Sequence, residues 1–142
     1  MNSIVVAVMV MAASSAQAQD KVIDFSQLPK AAQDFINTYY DQDKVTYITE
    51  DSGFLSKEYE VRLADGKEIE FDSKGNWTEV DGKRDAVPND IVLTAIQEYV
   101  SKSFPNNSIV YIKKSSREYE IELSNGLDLE FNKRCQFLII DD

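Results

Sequence analysis

The sequence contains no histidine, one cysteine, one tryptophan, three prolines and five glycines. Without histidine it can build neither a Ser–His–Asp nor a Cys–His nucleophile system, and no imidazole metal site. Cys135 stands alone, which excludes an intramolecular disulfide framework. It also lies far from the N-terminus, which excludes a lipid-anchored cysteine behind a leader. With no base available, a thiol at this turn position is read as incidental. Cationic charge is scarce: 15 Lys and Arg against 25 Asp and Glu leave a net charge of −10. Such a surface repels phosphate backbones, so no nucleic-acid partner is expected. Acidity of this kind serves solubility and favours cationic partners or metal ions. No phosphate-cradling glycine loop is present. No apolar run reaches the about 20 residues that a membrane-spanning helix needs.

What the chain does have begins with an uncharged stretch, residues 1–18. A short apolar run over residues 4–13 precedes Ala16-Gln17-Ala18, a small-x-small cleavage pattern. The expectation is a signal peptide at 1–18, a mature chain starting near Gln19, and export to the periplasm without membrane insertion. At 43% hydrophobic and 11% aromatic, the remainder has the composition of a folded domain.

The strongest pattern is a duplication. EYEVRLADGKEIEF, residues 58–71, returns as EYEIELSNGLDLEF, residues 118–131, at an offset of sixty. Upstream, Leu28-Pro29 mirrors Val87-Pro88, and Tyr47-Ile48 mirrors Tyr111-Ile112. Pro29 and Pro88 suit a first helical turn, and apolar residues follow at three- and four-residue spacing: Ala32, Phe35, Ile36 and Tyr39, then Ala95, Ile96, Tyr99 and Val100. Each helix therefore needs a surface to lie on.

The duplicated phrase alternates as a strand does. Tyr59, Val61 and Leu63 face one way, Glu58, Glu60 and Arg62 the other. A two-residue Asp65-Gly66 turn would mix those faces. A three-residue Ala64-Asp65-Gly66 loop instead sets Val61 opposite Ile69 and Tyr59 opposite Phe71. Ser124-Asn125-Gly126 does the same for Ile121 and Leu129. A further strand follows each pair, and its register is ambiguous: Trp77 faces either the helices or the glutamates. Residues 137–140, Phe-Leu-Ile-Ile, are apolar throughout, so both faces of that strand are expected to be covered.

The register that gathers the apolar residues also puts Glu60 opposite Glu70, Glu58 opposite Asp72 and Arg62 opposite Glu68. In the second copy Glu120 faces Glu130 and Glu122 faces Asp128. Like charges directly opposite cost up to about 1 kcal/mol per pair. A solvated sheet face with splayed side chains is the simplest account; a face that receives a basic protein surface or a cation is the functional one. Paired carboxylates serve glycoside hydrolysis in enzymes, but an open sheet offers no cleft. Asp72-Ser73-Lys74-Gly75-Asn76 lacks the alternating acids and terminal Glu of a calcium loop and reads as a hairpin turn.

The segments LPKAAQDFI, V-x-Y-I and EYEVRLADGKEIEFDSKGNW, with a weaker second pass, resemble the PepSY-like family of exported Bacteroidetes proteins. The resemblance spans residues 20–142. It implies tandem helix-plus-four-strand units with a fold similar to the β-lactamase inhibitor protein, and an open sheet face as the binding surface. It also implies β-lactamase or protease inhibition, although no inhibitory loop residues match. Cys135 departs from the family's turn glycine.

The expected fold class is thus α+β: two tandem repeats, each a helix followed by a four-stranded antiparallel meander, with the helices on one face of the sheet. The expected division is 19–84 and 85–142, packed together as one compact unit. The expected function is a periplasmic, non-enzymatic module that binds a protein or peptide, a secreted enzyme among the candidates, with no cofactor. Glu58, Glu60, Glu68, Glu70, Glu118, Glu120, Glu122, Asp128 and Glu130 are the candidate contacts, with Trp77 as an aromatic anchor. Cation capture by the same carboxylates, or a purely structural envelope role, are the alternatives.

Overall fold

The computed structural model describes residues 20–53 and 55–141. The expected signal peptide lies outside the described residues. In chain order the elements are β1 (Lys21–Ile23), α1 (Lys30–Tyr39), β2 (Val45–Ser52), β3 (Lys57–Leu63), β4 (Glu68–Phe71) and β5 (Trp77–Asp81). There follow α2 (Thr94–Ser103), β6 (Ile109–Lys114), β7 (Glu118–Leu123), β8 (Asp128–Asn132) and β9 (Phe137–Asp141). All nine strands form one antiparallel sheet in sequential order.

This overturns the expected fold class. The molecule is not two α+β repeats of a helix and a four-stranded meander; the described residues form one mostly β structure with a single nine-stranded sheet and two α-helices. The physical reason lies at the junction. Two four-stranded sheets would leave free edges there, whereas β5 pairs directly with β6 through Glu79↔Lys113, Val80↔Ile112 and Asp81↔Tyr111. The hydrogen-bond ladder therefore runs through, and β1 adds a strand beyond β2.

The hairpin registers follow the alternation of the sequence. Val61 pairs with Ile69 and Tyr59 with Phe71, as Ile121 pairs with Leu129 and Tyr119 with Phe131. Each three-residue loop ends on a left-handed glycine, Gly66 at φ 91° and Gly126 at φ 89°. One apolar row crosses the sheet through Ile48, Val61, Ile69, Val80, Ile112, Ile121 and Leu129, each 2% exposed or less. Each such side chain contributes about 1.5–3 kcal/mol by leaving water. Both helices cover this face: Phe35 meets Phe71 edge-on at 5.5 Å, and Tyr99 meets Phe131 at 5.3 Å.

The helices correspond differently from the expected alignment. Pro88 opens a 3-10 turn, Asn89–Ile91, and α2 starts only at Thr94 after Leu93. Gln33 donates from Nε2 to the Leu28 carbonyl, and Gln97 donates to the Val92 carbonyl, both at 2.8 Å. Leu28-Pro29 therefore matches Val92-Leu93, not Val87-Pro88. The two glutamines were the legible signal.

Cys135 takes the place of a glycine in conformation as well as in sequence. Gly75 has φ 84° and Cys135 φ 61°. Asp72 Oδ1 accepts from the amides of Lys74 and Asn76 at 2.9 Å, and Asn132 Oδ1 accepts from those of Arg134 and Gln136 at 3.0 Å. These are hairpin turns whose carboxylate or amide oxygen is committed to backbone.

Candidate functional site: the acidic sheet face

The face opposite the helices carries two polar rows. Across the sheet the first reads Thr49, Glu60, Glu70, Glu79, Lys113, Glu120, Glu130 and Ile139. The second reads Tyr47, Arg62, Glu68, Asp81, Tyr111, Glu122, Asp128 and Asp141. Neighbours in each row sit about 4.5–5.5 Å apart at Cβ, so their charges interact. Lys113 is the one cation in the first row.

Part of the charge is neutralised internally. Arg62 pairs with Glu68, approaches Glu60 at 3.7 Å and lies over the Tyr47 ring at 5.5 Å. Lys83 pairs with Asp81 at 3.1 Å and reaches Glu68 at 3.8 Å. Glu60, Glu70 and Glu79 form the tighter group. Burial pushes the Glu70 carboxyl up to about 8, with its hydrogen bond to Glu79 and the charges of Glu79, Glu60 and Glu58 acting in the same direction. The Glu70 carboxyl therefore holds its proton towards neutral pH. Tyr111 donates its hydroxyl to Glu79, and its own ionisation is pushed up by burial and that bond.

Two shallow hollows lie along these rows. One, about 100 Å³, is lined by Asp20, Thr49, Asp51, Glu58, Tyr59, Glu60 and Glu70. The other, about 320 Å³, is lined by Tyr111, Glu120, Glu122, Asp128, Glu130 and Asp141 among others. Beside the second, carboxylate oxygens of Glu118, Glu120 and Glu130 lie within 4.8 Å of one another. Glu130 is held above the usual carboxylate range, by partial burial first and then by Glu118, Glu120 and Asp141.

All nine candidate carboxylates lie in β3, β4, β7 and β8, and Glu60, Glu68, Glu70, Glu120, Glu122, Asp128 and Glu130 share the two rows. Glu58 lines the smaller hollow, and Glu118 belongs to the cluster with Glu120 and Glu130. Trp77 is elsewhere: it packs against the core on the helix side, with Lys114 Nζ 3.9 Å above its ring. Glu79, Lys113 and Tyr111 were missed. A bulge between Glu70 and Phe71 pairs Phe71 with Trp77 yet Glu70 with Glu79, so β5 turns Trp77 inward and Glu79 outward. Period-two reading cannot do both.

The raised Glu70 carboxyl has a consequence for stability. Its folded value, about 8, lies above the ordinary 4.5, so the native state holds a proton that the unfolded chain has released between those values. This group's contribution to stability is fully present below about pH 4.5, still large at pH 5, and lost as pH rises towards 8. Glu70→Gln is expected to flatten that slope and to raise stability at pH 8 by up to about 1 kcal/mol. Urea denaturation at both pH values measures it; an unchanged slope in the variant counts against the raised Glu70 carboxyl.

The family described as "Putative beta-lactamase-inhibitor-like, PepSY-like" matches residues 15–59 and 57–139. The chain belongs to this PepSY-like family. Three solved structures are similar throughout. A "putative periplasmic protein" from Bacteroides vulgatus superposes with a TM-score of 0.84 at 37% identity, covering 87% of this chain and 98% of the other. A "putative calcium-regulated periplasmic protein" from Bacteroides thetaiotaomicron gives 0.82 at 40%, covering 87% and 97%. A second Bacteroides vulgatus protein, described as periplasmic and of unknown function, gives 0.82 at 36%, covering 87% and 100%. No curated relative matches the sequence. Like these relatives, this PepSY-like protein is periplasmic. Among the described residues no helix is long and apolar enough to cross a membrane.

Proposed function

We propose that the protein is a non-enzymatic binding module that recognises a basic protein or peptide surface through its acidic sheet face. The supporting observation is the unbroken run Glu60–Glu70–Glu79, where burial and the neighbouring carboxylates hold the Glu70 carboxyl protonated far above its ordinary range. An incoming Lys or Arg favours the ionised form of Glu70, so binding displaces that proton and pairs the cation with the carboxylates. The open sheet and the absence of histidine speak against catalysis. Inhibition of a secreted enzyme is the form of recognition that the family description suggests.

Affinity capture from periplasmic extract tests this. Recovery of a defined basic partner is expected at low salt, with loss of at least about tenfold in half-molar salt, where screening is strong. The same loss is expected in Glu60→Gln/Glu70→Gln. Recovery indifferent to both would overturn the reading.

A second reading has its own support. The Glu118, Glu120 and Glu130 oxygens converge to 4.8 Å, and a relative 40% identical is described as calcium-regulated. Three bidentate carboxylates supply up to six oxygens, the lower end of calcium's range. Calorimetry with calcium is expected to give saturable heat that disappears in Glu120→Gln/Glu130→Gln. Failure of both experiments leaves a structural envelope role.

A further inference from the structure

The two ends of the sheet are built differently. β1 is three residues long and carries Lys21, features that discourage strand addition. β9 is five residues long and has no Lys, Arg or Pro. Its Phe137, Leu138, Ile139 and Ile140 are 38%, 48%, 51% and 45% exposed, against the expectation that both faces would be covered.

The sixty-residue duplication provides an internal standard. β5, Trp77-Thr78-Glu79-Val80-Asp81, stands to β4 as β9 stands to β8, with the same bulge and register: Phe71↔Trp77 and Ile69↔Val80 correspond to Phe131↔Phe137 and Leu129↔Ile140. On its far side β5 is covered by β6, and Val80 is fully buried. Ile140, in the corresponding place, is 45% exposed because among the described residues no strand pairs with the far side of β9. Composition runs against exposure. The covered strand has Thr78-Glu79, while the uncovered one has Leu138-Ile139. An edge meant for water would show the reverse.

We propose that β9 is an acceptor edge, on which an extended segment of a second protein adds in antiparallel pairing as a tenth strand. The covered seam states the chemistry of that segment. In β6, Ile112 faces the helix side opposite Val80, while Lys113 and Tyr111 lie opposite Glu79 and Asp81 on the acidic side. On β9 the neighbouring carboxylates are Glu130, beside Ile139, and Asp141, beside Asp128. A segment alternating apolar with basic or aromatic residues satisfies both sides, and main-chain hydrogen bonds supply affinity. A second copy fits worse. It carries the same charge of −10, and its β9 brings Asp141, not lysine. The inference goes beyond the acidic-face reading, since it rests on an edge strand and not on the glutamates of β3 and β4.

The test uses a fluorescein-labelled peptide copying residues 107–115, NSIVYIKKS, and the full chain. Anisotropy is expected to show saturable binding, and hydrogen exchange to show new protection of the β9 amides. Ile139→Lys, at an exposed position, is expected to weaken binding at least tenfold while circular dichroism stays unchanged. A peptide with alternate backbone N-methyl groups should not bind. Glu60→Gln/Glu70→Gln should leave the affinity within twofold, which separates this proposal from the face reading. Absence of saturable binding overturns it, as does protection confined to β3 and β4. So does a wild-type dimer, seen by sedimentation, that Ile139→Lys converts to monomer, because the edge then belongs to a second copy.

Discussion

Phe71→Ala is expected to lower stability by about 3–5 kcal/mol, the cost of truncating a phenylalanine in a packed core. Phe71 is fully buried, pairs across the sheet with Tyr59 and Trp77, and takes the Phe35 ring edge-on at 5.5 Å. Its counterpart Phe131 is equally buried, with Tyr99 at 5.3 Å and Phe137 at 5.9 Å, and Phe131→Ala should cost a similar amount. The two variants also examine cooperativity. Trp77, the only tryptophan, lies in the first copy of the duplication with Lys114 of the second over its ring, so its fluorescence reports on the first copy and on the seam. Because the buried residues of both halves form one core cluster, Phe131→Ala is expected to move the Trp77 fluorescence midpoint together with the far-ultraviolet dichroism midpoint. A fluorescence transition that ignores Phe131→Ala would mean two independent units.

Gly82→Ala is expected to be nearly as damaging, at about 3 kcal/mol, the upper part of the range for overpacking. A Cβ at this position would lie 2.2 Å from the Asp85 carbonyl oxygen and 3.0 Å from that of Val110. Both are main-chain atoms, so no rotamer change relieves the contact. Gly82 also donates its amide to the Val110 carbonyl at 2.7 Å, and Val87 donates to Ile109 at 2.9 Å. These bonds extend the β5–β6 pairing past Asp81 into the connection that leads to α2. Displacing Gly82 therefore loosens the seam where the halves meet. Urea titration of the variant gives the number, and a loss below about 0.5 kcal/mol, the scatter of ordinary surface changes, would show that the connection yields freely.

Acidic face and edge strand place different demands on the same surface. The first row ends in Ile139 after Glu120 and Glu130, so its apolar end adjoins its charged middle. In β5 the corresponding position is Glu79, which completes the strained trio with Glu60 and Glu70. One half of the duplication thus concentrates charge where strands are paired, and the other exposes apolar side chains where they are not.

Local alternation was enough to read the hairpins. The side on which Val61, Ile69, Ile121 and Leu129 lie, the three-residue loops, and the facing pairs Glu60–Glu70 and Glu120–Glu130 all follow from a period of two and a turn glycine. These are properties of neighbouring residues, and side-chain alternation carries them without reference to the rest of the chain. Three things required the tertiary structure. Whether β5 joins β6 depends on which strand edges meet, a long-range choice that hydrophobic period does not encode. The bulge that brings Glu79 beside Glu70 while turning Trp77 to the core depends on the geometry of one turn. The exposure of β9 depends on its place at the edge of the sheet formed by the described residues, although its composition alone reads as buried.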